Sequence, residues 1–299
     1  MRRTQFINRC VILLTMIIMS GSPHSQGKDM LSADKSPVKI QLIRNATMKI
    51  NYAGKTFLTD PMLSDKFALV SRGAAWENNP TVDLPIPAEG VLNEIDFVLV
   101  SHIHGDHFDD AARDALSKTI GLLCQPIDCD FFKEAGFNNV MPVADTWRQG
   151  KITIARVGGQ HATFDDIQNV PIETVEAAAK VSGFVFQSEG EPTLYWVGDS
   201  VLCEEVINVV NEFSPDIIVT HSGGAAADYE FGPIIMDEAQ TLKLAQDAKN
   251  SIIVAIHLES LSHCSVKRDT LRSMADSASI PPSRFIIPED GETIVFDDL

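Results

Sequence analysis

An apolar strand that runs straight into three histidines and a carboxylate constrains this chain more than any other feature. Phe97–Val100 (FVLV) is a continuous apolar run, the pattern of a strand covered on both faces. It leads without a break into Ser101-His102-Ile103-His104-Gly105-Asp106-His107. The chain has eight histidines, so this one turn gathers three of them. His102 and His104 are two apart and point the same way from an extended segment. Gly105 permits a sharp turn that swings Asp106 and His107 toward a neighbouring point. Asp109-Asp110 then open a helix whose positive start favours acids. A solvated polar loop is the bland alternative, but clustered imidazoles repel one another once protonated and gain nothing in packing. Neutral imidazole and carboxylate are ligands of choice for zinc and similar divalent ions.

The rest of the body alternates strands and helices. Val38–Ile43, Thr47–Tyr52 and Thr56–Thr59 read as a β-meander, with turn signals at Asn45 and Gly54. Gly121–Cys124 and Asn139–Val143 read as further strands around a helical Phe131–Ala135. Gly150–Val157 and Ser182–Gln187 alternate apolar and polar, as half-buried strands do. Thr193–Val197, Ile217–Thr220 and Ile252–Ile256 are of the fully buried type. Leu202, Val206, Val209, Val210 and Phe213 recur at helical spacing until Pro215. Asp237, with Gln240 three residues on, caps a second helix, and a third covers Arg268–Ser277. This order implies α/β layering, and the meander argues against a purely parallel sheet. Ser71–Gly90 and Ala162–Lys180 lack periodicity and are candidate pocket-shaping loops.

More polar residues stand just past these strands, where α/β folds gather their sites. His161 follows Gly150–Val157 through Gly158-Gly159-Gln160. Asp199 follows Tyr195-Trp196-Val197 through Gly198, and His257 ends Ile252–Ile256. Each has a plain structural reading alone: a loop residue, a helix cap, a satisfied core histidine. Together with the His102–His107 turn, their order and spacing become specific.

Over roughly residues 36–299 the chain resembles the metallo-β-lactamase superfamily of hydrolases. The matching pieces are Asp60 in Leu58-Thr59-Asp60-Pro61, His102–His107 as HxHxDH, His161, Asp199 in Val197-Gly198-Asp199-Ser200, and His257. Softer segments, among them LTDP, VGDS, IIMDEAQ and AIHLESL, look like the branch of ascorbate-6-phosphate lactonase and N-acyl-phosphatidylethanolamine phospholipase D. The resemblance implies an αββα four-layer sandwich with two divalent cations at one edge, zinc first and manganese or iron as alternatives. By that carry-over His102, His104 and His161 hold one cation, Asp106, His107 and His257 hold the other, and Asp199 bridges both. Asp60 would orient a ligand imidazole. The implied reaction is attack of a hydroxide shared by the cations on a small ester, lactone or phosphodiester, with Asp106 carrying the proton. His221, after Ile217–Thr220, is a candidate to touch substrate or donate to an oxyanion, or simply to cap a turn. His263 reads as a surface residue.

Charge and the amino terminus narrow the setting. Asp and Glu number 41 against 24 Lys and Arg, a net −17 that repels phosphate backbones, so nucleic acid is not an expected partner. Arg2, Arg3 and Arg9 precede the apolar run Cys10–Met19 and the small residues Ser20-Gly21-Ser22. Basic start, short apolar stretch and small residues make residues 1–25 a secretory leader or, if uncleaved, an anchor. The run is about half the roughly 20 residues of a spanning helix. A membrane enters only if the leader stays, and the expected location is periplasmic or extracellular. Cys124 and Cys129 could pair in an oxidising compartment; the simpler reading makes Cys124, Cys129, Cys203 and Cys264 four buried apolar side chains. Beside the dinuclear hydrolase stand two other readings. One is thioester or redox chemistry on the same site, and the other is a non-catalytic sandwich braced by metals. Asp199 speaks against the last, because structural zinc sites close with four ligands.

Overall fold

Strands apolar on both faces must be covered on both faces, and that requirement sets the layers. The computed structural model describes residues 37–70, 77–161, 181–226, 232–297 and 299, which belong to a unit spanning Ser36–Leu299. The leader expected over 1–25, His24 within it, and the loop over 162–180 lie outside the described residues. The first sheet contains β1 (Val38–Arg44), β2 (Thr47–Tyr52), β3 (Lys55–Thr59), β4 (Phe97–Val100), β5 (Gly121–Cys124) and β6 (Val140–Pro142). The second contains β7 (Thr146–Gln149), β8 (Ile152–Val157), β9 (Gly183–Gln187), β10 (Leu194–Trp196), β11 (Ile217–His221), β12 (Ile252–Ile256) and β13 (Phe285–Ile286). The last strand, β14 (Thr293–Phe296), returns to the edge of the first sheet beside β1. Both sheets have seven strands, in the orders β14-β1-β2-β3-β4-β5-β6 and β13-β12-β11-β10-β9-β8-β7.

Alternate side chains along each strand go to different cores. Leu99 of β4, Trp196 of β10, Val219 of β11 and Val254 of β12 fill the space between the sheets. Val98 and Val100 instead face outward, into a cluster with Val91, Ala112 and Phe132. Those three belong to α1 (Ala88–Leu92), α2 (Asp110–Ala115) and α3 (Cys129–Glu134). Tyr195, Ile218 and Ile253 face outward on the second sheet and meet Val206, Leu244 and Leu271. These lie on α4 (Glu204–Phe213), α5 (Glu238–Asp247) and α6 (Arg268–Ser277). The result is the αββα four-layer sandwich.

The meander pairs antiparallel as expected, whereas β3 to β6 and β10 to β13 pair parallel. β8 and β10 are both antiparallel to β9 and so run the same way. The carboxyl ends of β8, β10, β11 and β12 therefore share one edge of their sheet, as those of β3 and β4 do in the other. Asp109 caps α2, its Oδ1 accepting from the Ala112 amide at 2.7 Å and its Oδ2 from the Ser64 amide at 2.7 Å. Asp237 accepts from the Gln240 amide at 2.8 Å, the cap expected for α5.

Some expectations need correction. β9 is buried along most of its length, because it is interior to the sheet and covered from both sides. Cys124 and Cys129 form a disulfide, with Cα atoms 6.0 Å apart, where the simpler reading kept them as separate apolar side chains. The end of β5 and the start of α3 bring them together; Cys203 and Cys264 are free. The short β7, β13 and β14 and helix α1 carry too few apolar positions to stand out by periodicity.

Gly223, just past β11, shows how closely the site edge is packed. A Cβ there would lie 2.2 Å from the His257 carbonyl oxygen and 2.9 Å from Cys264 Sγ. Gly223→Ala must push β11 and β12 apart at their ends. Urea unfolding is expected to show a loss of about 1–3 kcal/mol, and an unchanged midpoint would show that the turn has slack.

Candidate metal centre

The expected donors lie at or just past strand ends; His102, His107, His161 and His257 meet around Asp199, and His104 and Asp106 join through their neighbours. Ser101 links the first members. Asp60 Oδ1 accepts from the Ser101 amide at 2.7 Å, and its Oδ2 accepts from the Ser101 hydroxyl at 2.6 Å. With its proton given to Asp60, Ser101 Oγ is an acceptor for His102 Nδ1, 2.9 Å away. His107 Nδ1 donates to Asp60 Oδ2 at 2.6 Å. His161 Nδ1 donates to the Ile234 carbonyl at 2.9 Å. With their Nδ1 atoms tied back, three imidazoles present Nε2 to Asp199 Oδ2: His107 at 3.0 Å, His161 at 3.6 Å and His102 at 3.8 Å. His104 Nδ1 lies 2.9 Å from His102 Nε2.

His257 completes the convergence from β12. Its Nε2 is 3.4 Å from Asp106 Oδ2 and 3.7 Å from Asp199 Oδ1, and the residue is 1% exposed. That nitrogen is buried with no hydrogen-bond partner, while Nδ1 lies 3.7 Å from Cys264 Sγ. A buried, unsatisfied imidazole nitrogen beside two carboxylates is the signature of a donor built for a cation. Among the described residues, two groups of donor atoms each fall within 4.8 Å: His102, His104 and His161, and His107, Asp199, His221 and His257. The donor set fits divalent metal, nitrogen-rich with carboxylate, as zinc and its neighbours prefer.

Electrostatics divides the imidazoles. Burial, with neighbouring His107, holds His102 well below the ordinary imidazole range, and burial with His161 lowers His104. Both are neutral and keep a lone pair. For His107, burial opposes charge, but Asp199, Asp106 and Asp60 outweigh it and raise the group well above its usual value. His257 is likewise pushed up to about 10, burial being overcome by Asp199 and Asp106. Burial disfavours ionised Asp106 and Asp199 too, yet His107 and His257 hold both well below the usual carboxylate range.

His221 stands apart. It is fully buried and does not line the cavity above the site. Its Nδ1 donates to Asp199 Oδ1 at 2.5 Å. His263, expected at the surface, lines that cavity instead. Three contributors carried no signal in the sequence beyond strand or turn. Ser101 joins Asp60 to His102. Trp196 donates from Nε1 to His221 Nε2 at 2.9 Å. Asn45, in the left-handed region with φ 58°, donates from Nδ2 to the Asp106 carbonyl at 3.0 Å. Its own carbonyl accepts from the His257 amide at 3.0 Å.

The cavity has a volume of about 590 Å³. His104, Asp106, His161, Asp199 and His257 line it together with Leu69, Val70, Ile103 and Ile234.

A sandwich of this layering with such an edge defines a metallo-β-lactamase-type fold. Residues 55–258 match the beta-lactamase superfamily domain, and the chain belongs to that family. The UPF0173 protein YddR of Bacillus subtilis is 31% identical over 264 residues, covering 87% of this chain and 100% of that protein. A UPF0173 metal-dependent hydrolase of Anaeromyxobacter dehalogenans is 30% identical over 160 residues, 50% of this chain and 56% of that protein. The crystal structure of isothiocyanate hydrolase from Delia radicum gut bacteria superposes with a TM-score of 0.80 at 35% identity. It covers 87% of this chain and 100% of that one. The protein is a metal-dependent hydrolase of this superfamily.

Asp60→Ala removes the acceptor that orients His107 and Ser101. Competition with a chromogenic chelator is expected to show cation binding weakened about 10- to 100-fold. Unchanged affinity would show that Asp60 only closes a turn.

Proposed function

We propose that the edge holds two divalent cations, zinc first, and hydrolyses a small, uncharged, largely apolar electrophile outside the cytoplasm. The observation that carries this reading is the convergence of His102, His107, His161 and His257 on Asp199, with His104 against His102 and Asp106 against His107 and His257, at the floor of a cavity with aliphatic walls. His102, His104 and His161 would hold one cation; Asp106, His107 and His257 the other; Asp199 would be shared. Bound there, the cations supply Lewis acidity and a water acidic enough to attack at neutral pH.

The chain's own groups do the rest. Leu69, Val70, Ile103 and Ile234 bind the apolar part of the substrate and exclude water around it. Asp106, ionised and facing the cavity, takes the proton of the attacking water and returns it to the leaving atom. Ester and lactone carbonyls suit this arrangement. So does the central carbon of an isothiocyanate, the substrate class in the name of the 35%-identical structure. Water adds across its C=N bond, and the adduct breaks its C–N bond to give an amine and carbonyl sulfide. Aliphatic walls and a net charge of −17 favour uncharged substrates over phosphodiesters. The leader-like residues 1–25 support export, and so does the Cys124–Cys129 disulfide, which suits an oxidising compartment. The substrate is the expected partner, and a membrane is involved only if the leader stays.

Purified protein assayed with esters, lactones, isothiocyanates and phosphodiesters tests the reading. Activity is expected on uncharged substrates at no less than about tenfold the efficiency on phosphodiesters. Chelator or Asp106→Ala is expected to lower it by about 100-fold or more. Two retained cations with no turnover across the panel would overturn it in favour of a metal-braced, non-catalytic sandwich.

A further inference from the structure

The histidines around Asp199 are anchored in two opposite ways, and the difference assigns a role to the one that the family pattern leaves unused. His107 and His161 rest Nδ1 on an oxygen acceptor, as does His102 on a Ser101 hydroxyl whose proton is given to Asp60. All three turn Nε2 inward. His221 does the reverse. Its Nδ1 faces Asp199 Oδ1 at 2.5 Å, and its Nε2 lies 2.9 Å from Trp196 Nε1. An indole N–H can only donate. The His221 Nε2 must therefore keep its lone pair, and the ring proton must sit on Nδ1. A nitrogen carrying a proton cannot also bind a cation. The proximity that groups His221 with His107, Asp199 and His257 as candidate donors is therefore not ligation.

We infer that His221, with its tautomer fixed by Trp196, is a positioning residue for Asp199. Its N–H holds Oδ1 and sets the carboxylate so that Oδ2 faces His102, His107 and His161. The packing is consistent with a rigid strut. Trp196, Asp199 and His221 come from β10, its exit turn and the adjacent β11. Trp196 and His221 are both fully buried, Trp196 stacks on Phe184 with centroids 5.7 Å apart, and the His221 ring lies 5.0 Å from that of His257. The carboxylate thus has Oδ1 held by His221, with His257 3.7 Å away, and Oδ2 turned toward the other three imidazole donors. This rests on the edge being a metal centre, but not on any particular substrate.

The test is metal binding together with the proton position, with no turnover needed. Nitrogen-15 imidazole spectra of wild-type protein are expected to place the His221 proton on Nδ1, both metal-free and zinc-loaded. In chelator competition, His221→Phe is expected to weaken the looser cation about 10- to 100-fold. His221→Asn, whose amide stands near Nδ1, is expected to recover most of that loss. Trp196→Phe, which deletes the indole N–H donor along with part of the ring, should shift affinity in the same direction by less. The inference falls if the proton is found on Nε2, if His221→Asn loses a cation as completely as His257→Asn, or if His221→Phe binds as wild type. Should His221→Phe fail to fold, the wild-type spectra and Trp196→Phe still decide. A protein that binds two cations and hydrolyses nothing would sink the proposed function and leave this intact.

Discussion

Asp60 and Asp199 are carboxylates at 0% and 3% exposure, and His107 sits between them at 2.6 and 3.0 Å. Removing one such charge from water costs several kcal/mol unless an opposite charge meets it. The edge of the sandwich is therefore a set of groups that tolerate burial only in each other's company. Each carboxylate justifies the imidazoles around it, and the imidazoles hold both nitrogens in fixed directions because the carboxylates and carbonyls behind them accept. The parallel ends of β3 and β4 on one side, and of β8, β10, β11 and β12 on the other, bring these groups together without a long loop having to find its place.

Much of this is legible in the sequence because it is written in local patterns. FVLV, IIVT and IIVAI announce buried strands, and a polar residue directly after such a run can point only to the strand's end. That is why His102–His107, Asp199 and His257 stand out in the sequence. Other parts are silent for physical reasons. Trp196 reads as one more apolar residue in TLYWV, since nothing local says that its N–H meets β11. Ser101 and Asn45 act through bonds spanning 41 and 61 positions of chain. β7, β13 and β14 are short and lie toward the sheet edges, so their alternation never accumulates. The disulfide depends on a turn after β5 that brings two cysteines five positions apart into reach.

The donors and the cavity walls come from different parts of the chain. The nitrogen and oxygen donors sit on strand ends fixed by two cores. The aliphatic walls of the cavity come from loops between strands: Leu69 and Val70 after β3, Ile103 inside the histidine turn, Ile234 before α5. Loops tolerate substitution and length change far better than packed strands. The donors define the family, and the walls are where substitution can reshape the cavity.

Asn45 has few substitutes. Its φ of 58° favours glycine, asparagine and aspartate. Glycine would keep the backbone and forfeit the amide that holds the Asp106 carbonyl. Aspartate would set a negative oxygen against that same carbonyl. Of these three, asparagine alone meets both the conformational and the bonding demand. A hairpin turn that looks interchangeable with any other thus has little mutational freedom, because its side chain holds the backbone of a residue that faces the cavity.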